Sequence, residues 1–240
     1  LRERPPPPED GKAAKLRTLI VAPLSVLQVW REEFFSRLHD SFRPKVLIYH
    51  GSSRPKDPAV LADYDIVITS YALVSQESPK EVYEEDAEGQ SVVRKVRGAL
   101  FKLKWFRVVL DEAQVIKNRR SLQARGAYLL RADRRWCLSG TPIQNSVDDI
   151  YSLFLFLRYY IVDTYSEWNK LWKKRLNSGI PSVRERAFKR FQVVLGTVLL
   201  RRTKGDTIDG VPLLTLPPKN VALRALQFSA DERAIYQALE

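Results

Sequence analysis

The stretch that decides the fold is Arg107-Val108-Val109-Leu110-Asp111-Glu112-Ala113-Gln114. Its first half is a short apolar, β-branched run, the composition of a strand buried on both faces, and it stops at two adjacent acids. Runs of the same kind recur on either side. Thr18-Leu19-Ile20-Val21-Ala22 is stopped by Pro23, and Val46-Leu47-Ile48-Tyr49 and Ile66-Val67-Ile68 follow. Trp136-Cys137-Leu138 comes later and leads into Gly140-Thr141-Pro142. The segments between them read as helices. Leu27, Trp30, Phe34 and Leu38 share one helical face, with Ser25 and Gln28 expected to form a capping box before it. Ser121 is expected to cap a helix through about Arg131. Ser146 with Asp149 is expected to open another, carrying Ile150, Leu153, Phe154 and Leu157. Continuous apolar strands separated by helices imply an α/β fold with a parallel sheet covered on both faces. Ligands of such sheets sit at the carboxyl ends of the strands, so the residues just after each strand are the candidates for function.

Beyond residue 159 the pattern becomes helical and basic. Trp168, Leu171, Trp172 and Arg175 form one stripe, and Val183, Ala187, Phe191 and Val194 another. The two tryptophans and Phe191 are expected to be core rather than stacking platforms. Gly210, Pro212, Pro217 and Pro218 then break the chain, Val221–Phe228 is a weak strand candidate, and Ser229 is expected to cap a last helix. Four segments follow: a Pro-rich loop (1–16), an α/β lobe (17–158), a basic helical protrusion (159–205) and a linker (206–240).

The 240 residues carry 40 Lys+Arg against 28 Asp+Glu, a net charge of +12. That balance favours a polyanionic partner. Three quarters of it lies in 165–204, where eleven basic residues face only Glu167 and Glu185; a duplex-binding face and a solvated surface both fit. Residues 77–88 are acidic and read as a solvated insertion. No stretch approaches the ~18 unbroken apolar residues of a membrane span. The single cysteine, Cys137, excludes an internal disulfide and a cysteine-based zinc site, and it fits a reducing compartment. His39 and His50 are too few for a His-rich metal site. The chain begins with Leu1 and has no methionine, so we expect it to be a piece of something longer.

Two acids delivered by a buried strand suit an NTPase. One carboxylate holds Mg²⁺ through water and the other polarises the attacking water, which assigns Asp111 to the metal and Glu112 to the water. The competing reading is a strand-end turn with two solvated acids. After the next strand, Ser139 and Thr141, on either side of Gly140, offer small hydroxyls able to bond a neighbouring carboxylate and report nucleotide state; a plain Gly-Thr-Pro turn is the alternative.

Taken together, these strings resemble superfamily-two helicase motifs, and among those the Swi/Snf family of DNA-dependent ATPases. Leu19–Ser25 with Trp30, Glu33 and Phe34 resembles motif Ia, and Ile68-Thr69-Ser70-Tyr71 resembles motif Ib. Asp111–Asn118 resembles motif II, and Leu138–Asn145 with Leu153 and Leu157 resembles motif III. Leu200–Lys204 and Leu216–Lys219 look like the path to a second lobe. The branch of helicase-like transcription factors in DNA-damage tolerance looks closest.

The resemblance implies a RecA-like first lobe that uses ATP and Mg²⁺, grips the backbone of double-stranded DNA, nucleosomal or not, and works in the nucleus against a second RecA-like lobe. It implies DNA contacts from Pro23, Ser25, Thr69, Ser70, Lys117, Asn118, Gln144, Asn145, Arg201 and Arg202. It also implies coupling of motifs II and III through Gln114, Ser139, Gly140 and Thr141. For Ser25, Thr69 and Ser70 the alternative is capping and turn formation. The chain departs from the family in two ways. No Gly-x-x-x-x-Gly-Lys-Ser/Thr phosphate loop is present, since Gly11-Lys12 is followed by Ala13. Gln114 stands where the family usually has His, yet its amide both donates and accepts, so coupling is expected to survive. A non-catalytic adaptor on the same fold is the competing function, and an unrelated nucleotide-binding enzyme is disfavoured by the order of the motifs.

Overall fold

The computed structural model describes residues 16–85, 91–162, 164–203, 205–212 and 217–239. The Pro-rich start with Gly11-Lys12, the tip of the acidic insertion, Lys204 and Leu216 lie outside the described residues. The strands are β1 (Thr18–Ala22), β2 (Val46–Tyr49), β3 (Ile66–Ser70), β4 (Lys80–Glu85), β5 (Ser91–Val96), β6 (Trp105–Leu110), β7 (Ala132–Cys137), β8 (Thr207–Ile208) and β9 (Val211–Pro212). The helices are α1 (Leu27–Arg37), α2 (Pro58–Ala62), α3 (Tyr71–Glu77), α4 (Ala99–Lys102), α5 (Leu122–Leu129), α6 (Asp148–Leu157), α7 (Tyr165–Trp168), α8 (Lys174–Leu176), α9 (Pro181–Gly196) and α10 (Ala230–Leu239). A π-helical turn, Asn169–Lys173, joins α7 to α8.

Five parallel strands form one sheet in the order β2-β3-β1-β6-β7. This is the parallel α/β architecture expected. β1 lies between β3 and β6, and its Leu19, Ile20, Val21 and Ala22 are all buried, as a strand covered on both faces requires. The order reverses at β1, because the chain runs from it toward β2 on one side and reaches β6 on the other. That is the topological switch point at which such sheets bind ligands. β7 is an edge of this sheet and reads Ala-Asp-Arg-Arg-Trp-Cys, with Trp136 exposed. Charged residues of this kind blunt an edge against unwanted pairing.

By contacts, the described residues up to Lys189 form one compact unit and those from Arg190 a second. The sheet, α1 to α8 and the start of α9 belong to the first. In it, Trp168 and Trp172 are buried: Trp168 packs 5.0 Å from Tyr151 and edge-on to Phe154 of α6. These tryptophans are core, as their helical spacing suggested. Arg201, Arg202, β8, β9 and α10 belong to the second unit, where Ser229 and Glu232 form the expected capping box.

Several expectations need correction. Ser25 caps no helix: Leu24–Val26 forms a 3₁₀ turn after Pro23, Val26 precedes α1 without a side-chain cap, and Ser25 is exposed. The turn closes through Val26 N–H to the Pro23 carbonyl, which places Ser25 inside it. Val221–Phe228 forms no strand; its alternation is weak and no described strand pairs with it. The acidic insertion is a hairpin of β4 and β5, and Glu77 at its root is not solvated. It is buried, bonded by Tyr49 Oη at 2.7 Å and paired with Arg54 at 3.0 Å. Gly98 makes room for it, since a Cβ there would fall 2.3 Å from Glu77 Oε2. Helix α6 begins at Asp148, two residues beyond Ser146, whose hydroxyl accepts from Asp148 N–H at 3.2 Å.

Candidate functional site

Asp111 and Glu112 follow β6 at the carboxyl rim, next to the end of β1. Asp111 is held from four sides. Its N–H donates to the Val21 carbonyl at 2.8 Å, and its carbonyl accepts from Tyr71 Oη at 2.6 Å. Its carboxylate accepts from Trp30 Nε1 at 2.8 Å on Oδ2 and from the Glu112 N–H at 3.0 Å on Oδ1. The chain then turns sharply. Glu112 has φ +48°, a left-handed conformation uncommon for a residue with a side chain. That turn leaves Glu112 exposed and starts the short 3₁₀ segment Ala113–Ile116.

From Glu112 a chain of side-chain bonds runs to the loop after β7. Gln114 Nε2 donates to Glu112 Oε2 at 2.5 Å, and Ser139 Oγ donates to Gln114 Oε1 at 2.8 Å. The Thr141 N–H donates to Ser139 Oγ at 3.2 Å. Gln144 Nε2 donates to Thr141 Oγ1 at 3.2 Å, and Lys117 Nζ donates to Gln144 Oε1 at 2.6 Å. Two backbone bonds fix the same proximity: Leu138 N–H to the Leu110 carbonyl at 2.8 Å and Ala113 N–H to the Leu138 carbonyl at 2.9 Å. Gln114 donates with one end of its amide and accepts with the other, the dual capacity anticipated for it. A Cβ on Gly140 would meet nothing within 4 Å, so this part of the turn faces open space.

The other candidates divide by exposure. Ser25, Asn118, Gln144 and Asn145 are exposed, and Lys117 and Pro23 are half-buried. Asn118 Oδ1 accepts from the Arg120 N–H at 3.0 Å and so shapes the turn before α5. Thr69 and Ser70 are buried. The Thr69 hydroxyl is spent on the Tyr49 carbonyl at 3.0 Å, and Ser70 Oγ caps α3. Capping, the alternative weighed for both, is what the structure shows for Ser70; Thr69 instead bonds across to the neighbouring strand β2. Arg201 and Arg202 are exposed in the second unit.

Three side chains matter more than sequence reasoning allowed. Trp30 was visible as part of a helical face and of a motif, and Tyr71 only as part of a motif; nothing in their spacing revealed that both bond Asp111. Asp149 was read as a helix opener. It is 8% exposed, and its Oδ2 accepts from the backbone N–H groups of Gln144 at 2.9 Å and Asn145 at 3.0 Å, which sets the shape of that loop.

The titratable neighbours follow their surroundings. Burial, and then the negative charges of Asp111 and Glu112, pushes the Tyr71 hydroxyl far above the usual phenol range, so it stays a proton donor. Burial pushes the Cys137 thiol up to about 12, which makes it an inert small side chain. No group of three or more His, Cys, Asp or Glu able to cage a metal occurs among the described residues. The site nevertheless suits Mg²⁺, which is commonly held by one or two carboxylates, water and substrate phosphates rather than by a protein cage. Each Asp111 oxygen has one protein donor and therefore a lone pair left for a metal-bound water.

Comparison with known proteins matches residues 8–240 to the SNF2-related domain. The chain is 42% identical to the helicase-like transcription factor CHR28 of Arabidopsis thaliana, over 93% of this chain and 26% of that protein. It is 40% identical to the DNA repair protein RAD5A of the same plant, over 92% of this chain and 20% of the relative. It is 34% identical to the helicase-like transcription factor of Homo sapiens, over 93% and 20%. The chain thus spans about a quarter of the length of these curated relatives, or less. Among solved structures, the Sulfolobus solfataricus SWI2/SNF2 ATPase core in complex with dsDNA superposes with a TM-score of 0.60 at 29% identity, covering 80% of this chain and 35% of that one.

Proposed function

Since this chain belongs to the SNF2-related domain family and is part of a Swi/Snf-type, helicase-like motor, we propose that it supplies the Asp-Glu half of an ATPase site and a DNA-gripping rim to a DNA-stimulated translocase. The observation that carries this reading is the unbroken chain of bonds from Glu112 through Gln114 to Ser139 and on to Gln144 and Lys117. It ties the carboxylate suited to handling water to the loop suited to handling phosphates.

In this reading Asp111 holds Mg²⁺ through water, and the bound Mg–ATP supplies the transferable phosphoryl group and the charge that neutralises it. Glu112 orients and polarises the attacking water; the left-handed turn presents its carboxylate to solvent, and Gln114 fixes one of its oxygens. Ser25, Lys117, Asn118, Gln144 and Asn145 face the DNA backbone, with Pro23 setting the turn that exposes Ser25. Thr69 and Ser70, buried with their hydroxyls used, build that rim without reaching a phosphate. Arg201 and Arg202 add backbone contacts from the second unit. Ser139, Gly140 and Thr141 carry a change in either ligand to the other. A second lobe of the full-length protein closes the nucleotide site, and chromosomal DNA, free or nucleosomal, is the substrate, which places the protein in the nucleus. The dsDNA named for the archaeal core and the DNA repair named for the plant relative support this reading.

The test is steady-state ATP hydrolysis by the full-length protein with and without duplex DNA, over a salt series. The proposal expects turnover to rise with duplex of any sequence, and the concentration of DNA needed to rise steeply with salt, because phosphate contacts release counterions. Turnover indifferent to DNA at every salt concentration contradicts it.

A further inference from the structure

Motif III is one physical path between the rim and the two acids. The structure contains a second, on the opposite side of Asp111. Trp30 lies on α1, which begins two residues after the exposed Ser25, and its indole N–H ends on Asp111 Oδ2. Tyr71 directly follows Ser70, and its hydroxyl ends on the Asp111 carbonyl. Sheet order explains the convergence. β3 and β6 flank β1, so the segments leaving β1 and β3 meet the end of β6 from one side.

The two bonds act on different atoms of one residue. Trp30 fixes the direction of the carboxylate. Tyr71, 5% exposed, fixes the peptide plane from which the left-handed turn at Glu112 departs. Movement of the turn around Ser25, or of the β3–α3 junction, therefore reorients both acids without passing through Gln114. Two independent tethers also restrict Asp111 more than either does, since a single hydrogen bond leaves rotation about its own axis.

Resting on the site reading above, we propose that Trp30 and Tyr71 are positioning residues that couple duplex occupancy of the rim to the Asp111–Glu112 pair, in parallel with the Gln114–Ser139 path. Neither touches nucleotide or DNA; both act through Asp111. Coupling of this kind is reciprocal: nucleotide changes duplex affinity by the same factor by which duplex changes nucleotide affinity.

The experiment measures that factor by binding, without turnover. The full-length protein carrying Glu112→Gln is titrated with a labelled duplex in the presence and absence of Mg–ATP, and the ratio of the two affinities is the reference. Tyr71→Phe, which deletes one oxygen, and Trp30→Phe are each added to it. The proposal expects the ratio to move toward unity by about threefold to tenfold in each, the range that one hydrogen bond is worth. Affinity for duplex alone and for nucleotide alone should stay within about twofold. A merely structural role lowers the melting temperature and leaves the ratio intact. Trp30 stacks near Phe34, at 6.0 Å, so should Trp30→Phe fail to fold, Tyr71→Phe decides. A ratio unchanged in Tyr71→Phe, or a reference whose duplex affinity ignores nucleotide, overturns this inference alone. A reference that binds neither ligand overturns the reading of the site and this inference with it.

Discussion

Among the pairs of adjacent acids in the first unit, two have opposite fates. Asp148 and Asp149 open α6 and take three donors each. Asp149 takes three backbone N–H groups, those of Gln144, Asn145 and Ser146, while Asp148 takes Tyr165 Oη at 2.9 Å, Trp168 Nε1 at 3.2 Å and Lys173 Nζ at 2.5 Å. Asp111 and Glu112 are left short of donors: each Asp111 oxygen has one, and Glu112 is exposed with one bond from Gln114. A carboxylate that has spent its lone pairs on the protein stabilises the fold. One that retains them can serve a ligand. The same contrast separates two lysines, since Lys173 is committed to a part-buried ion pair while Lys117 bonds only the neutral Gln144.

Substitutions should break this contrast in graded fashion. In the proposed site Asp111→Asn removes the charge assigned to hold Mg–ATP, and turnover of the full-length protein is expected to fall about 10²-fold or more, since charge stabilisation of this kind is worth several kcal/mol. Measured kcat within about threefold of the parent would place Asp111 in the structural class. Asp149→Ala should instead act on the fold, taking the acceptor from three backbone N–H groups. Denaturant unfolding is expected to show a loss of about 2 kcal/mol, the upper range for a lost helix-start acceptor; no loss would mean that water replaces the carboxylate freely.

Asp148 gives a pH-dependent version. Burial opposes its charge, but the bonds from Lys173, Tyr165 and Trp168 outweigh that opposition and hold its carboxyl below the usual carboxylate range. A lowered folded-state value means that its contribution is fully present above the unfolded value of about 4 and is lost as pH falls through the still lower folded value. Asp148→Asn should therefore cost about 1 kcal/mol at pH 7 and progressively less in acid, followed by urea midpoints at several pH values. A cost that does not vary with pH would show that Lys173 contributes nothing through charge. The smallest effect is expected from Gln114→His, because a neutral imidazole also donates on one side and accepts on the other. DNA-stimulated turnover should stay within about twofold, and a tenfold loss would show that the amide has a role imidazole cannot fill.

The sequence made most of the sheet legible because β1, β2, β3 and β6 each carry an apolar run of three or more residues, whereas of β7, Ala-Asp-Arg-Arg-Trp-Cys, only the end showed. It made the acids legible because they end such a run. What escaped it was partnership across the fold. Ser25 has cap chemistry, yet it sits inside the 3₁₀ turn after Pro23, two residues short of the helix start. Glu77 looked like one more surface acid among 77–88, but the ends of β2 and α3 place it between Tyr49 and Arg54. Thr69 and Ser70 have the hydroxyls of phosphate donors, and backbone claims both, that of the neighbouring strand for Thr69 and that of its own helix start for Ser70. Trp30 fitted a helical stripe so well that its indole N–H drew no attention. In each case the residue type was visible and the donor or acceptor it would meet was not.

The central claim is that Glu112 handles the attacking water while Asp148 and Asp149 do not. The most direct test is Mg–ATP binding and single-turnover hydrolysis by the full-length protein carrying Glu112→Gln, beside Asp148→Asn as control. The account predicts that Glu112→Gln binds nucleotide as the parent does and hydrolyses it at least about 10²-fold more slowly, with its melting temperature unchanged. Asp148→Asn should be less stable and hydrolyse normally. Undiminished hydrolysis by Glu112→Gln would contradict the account.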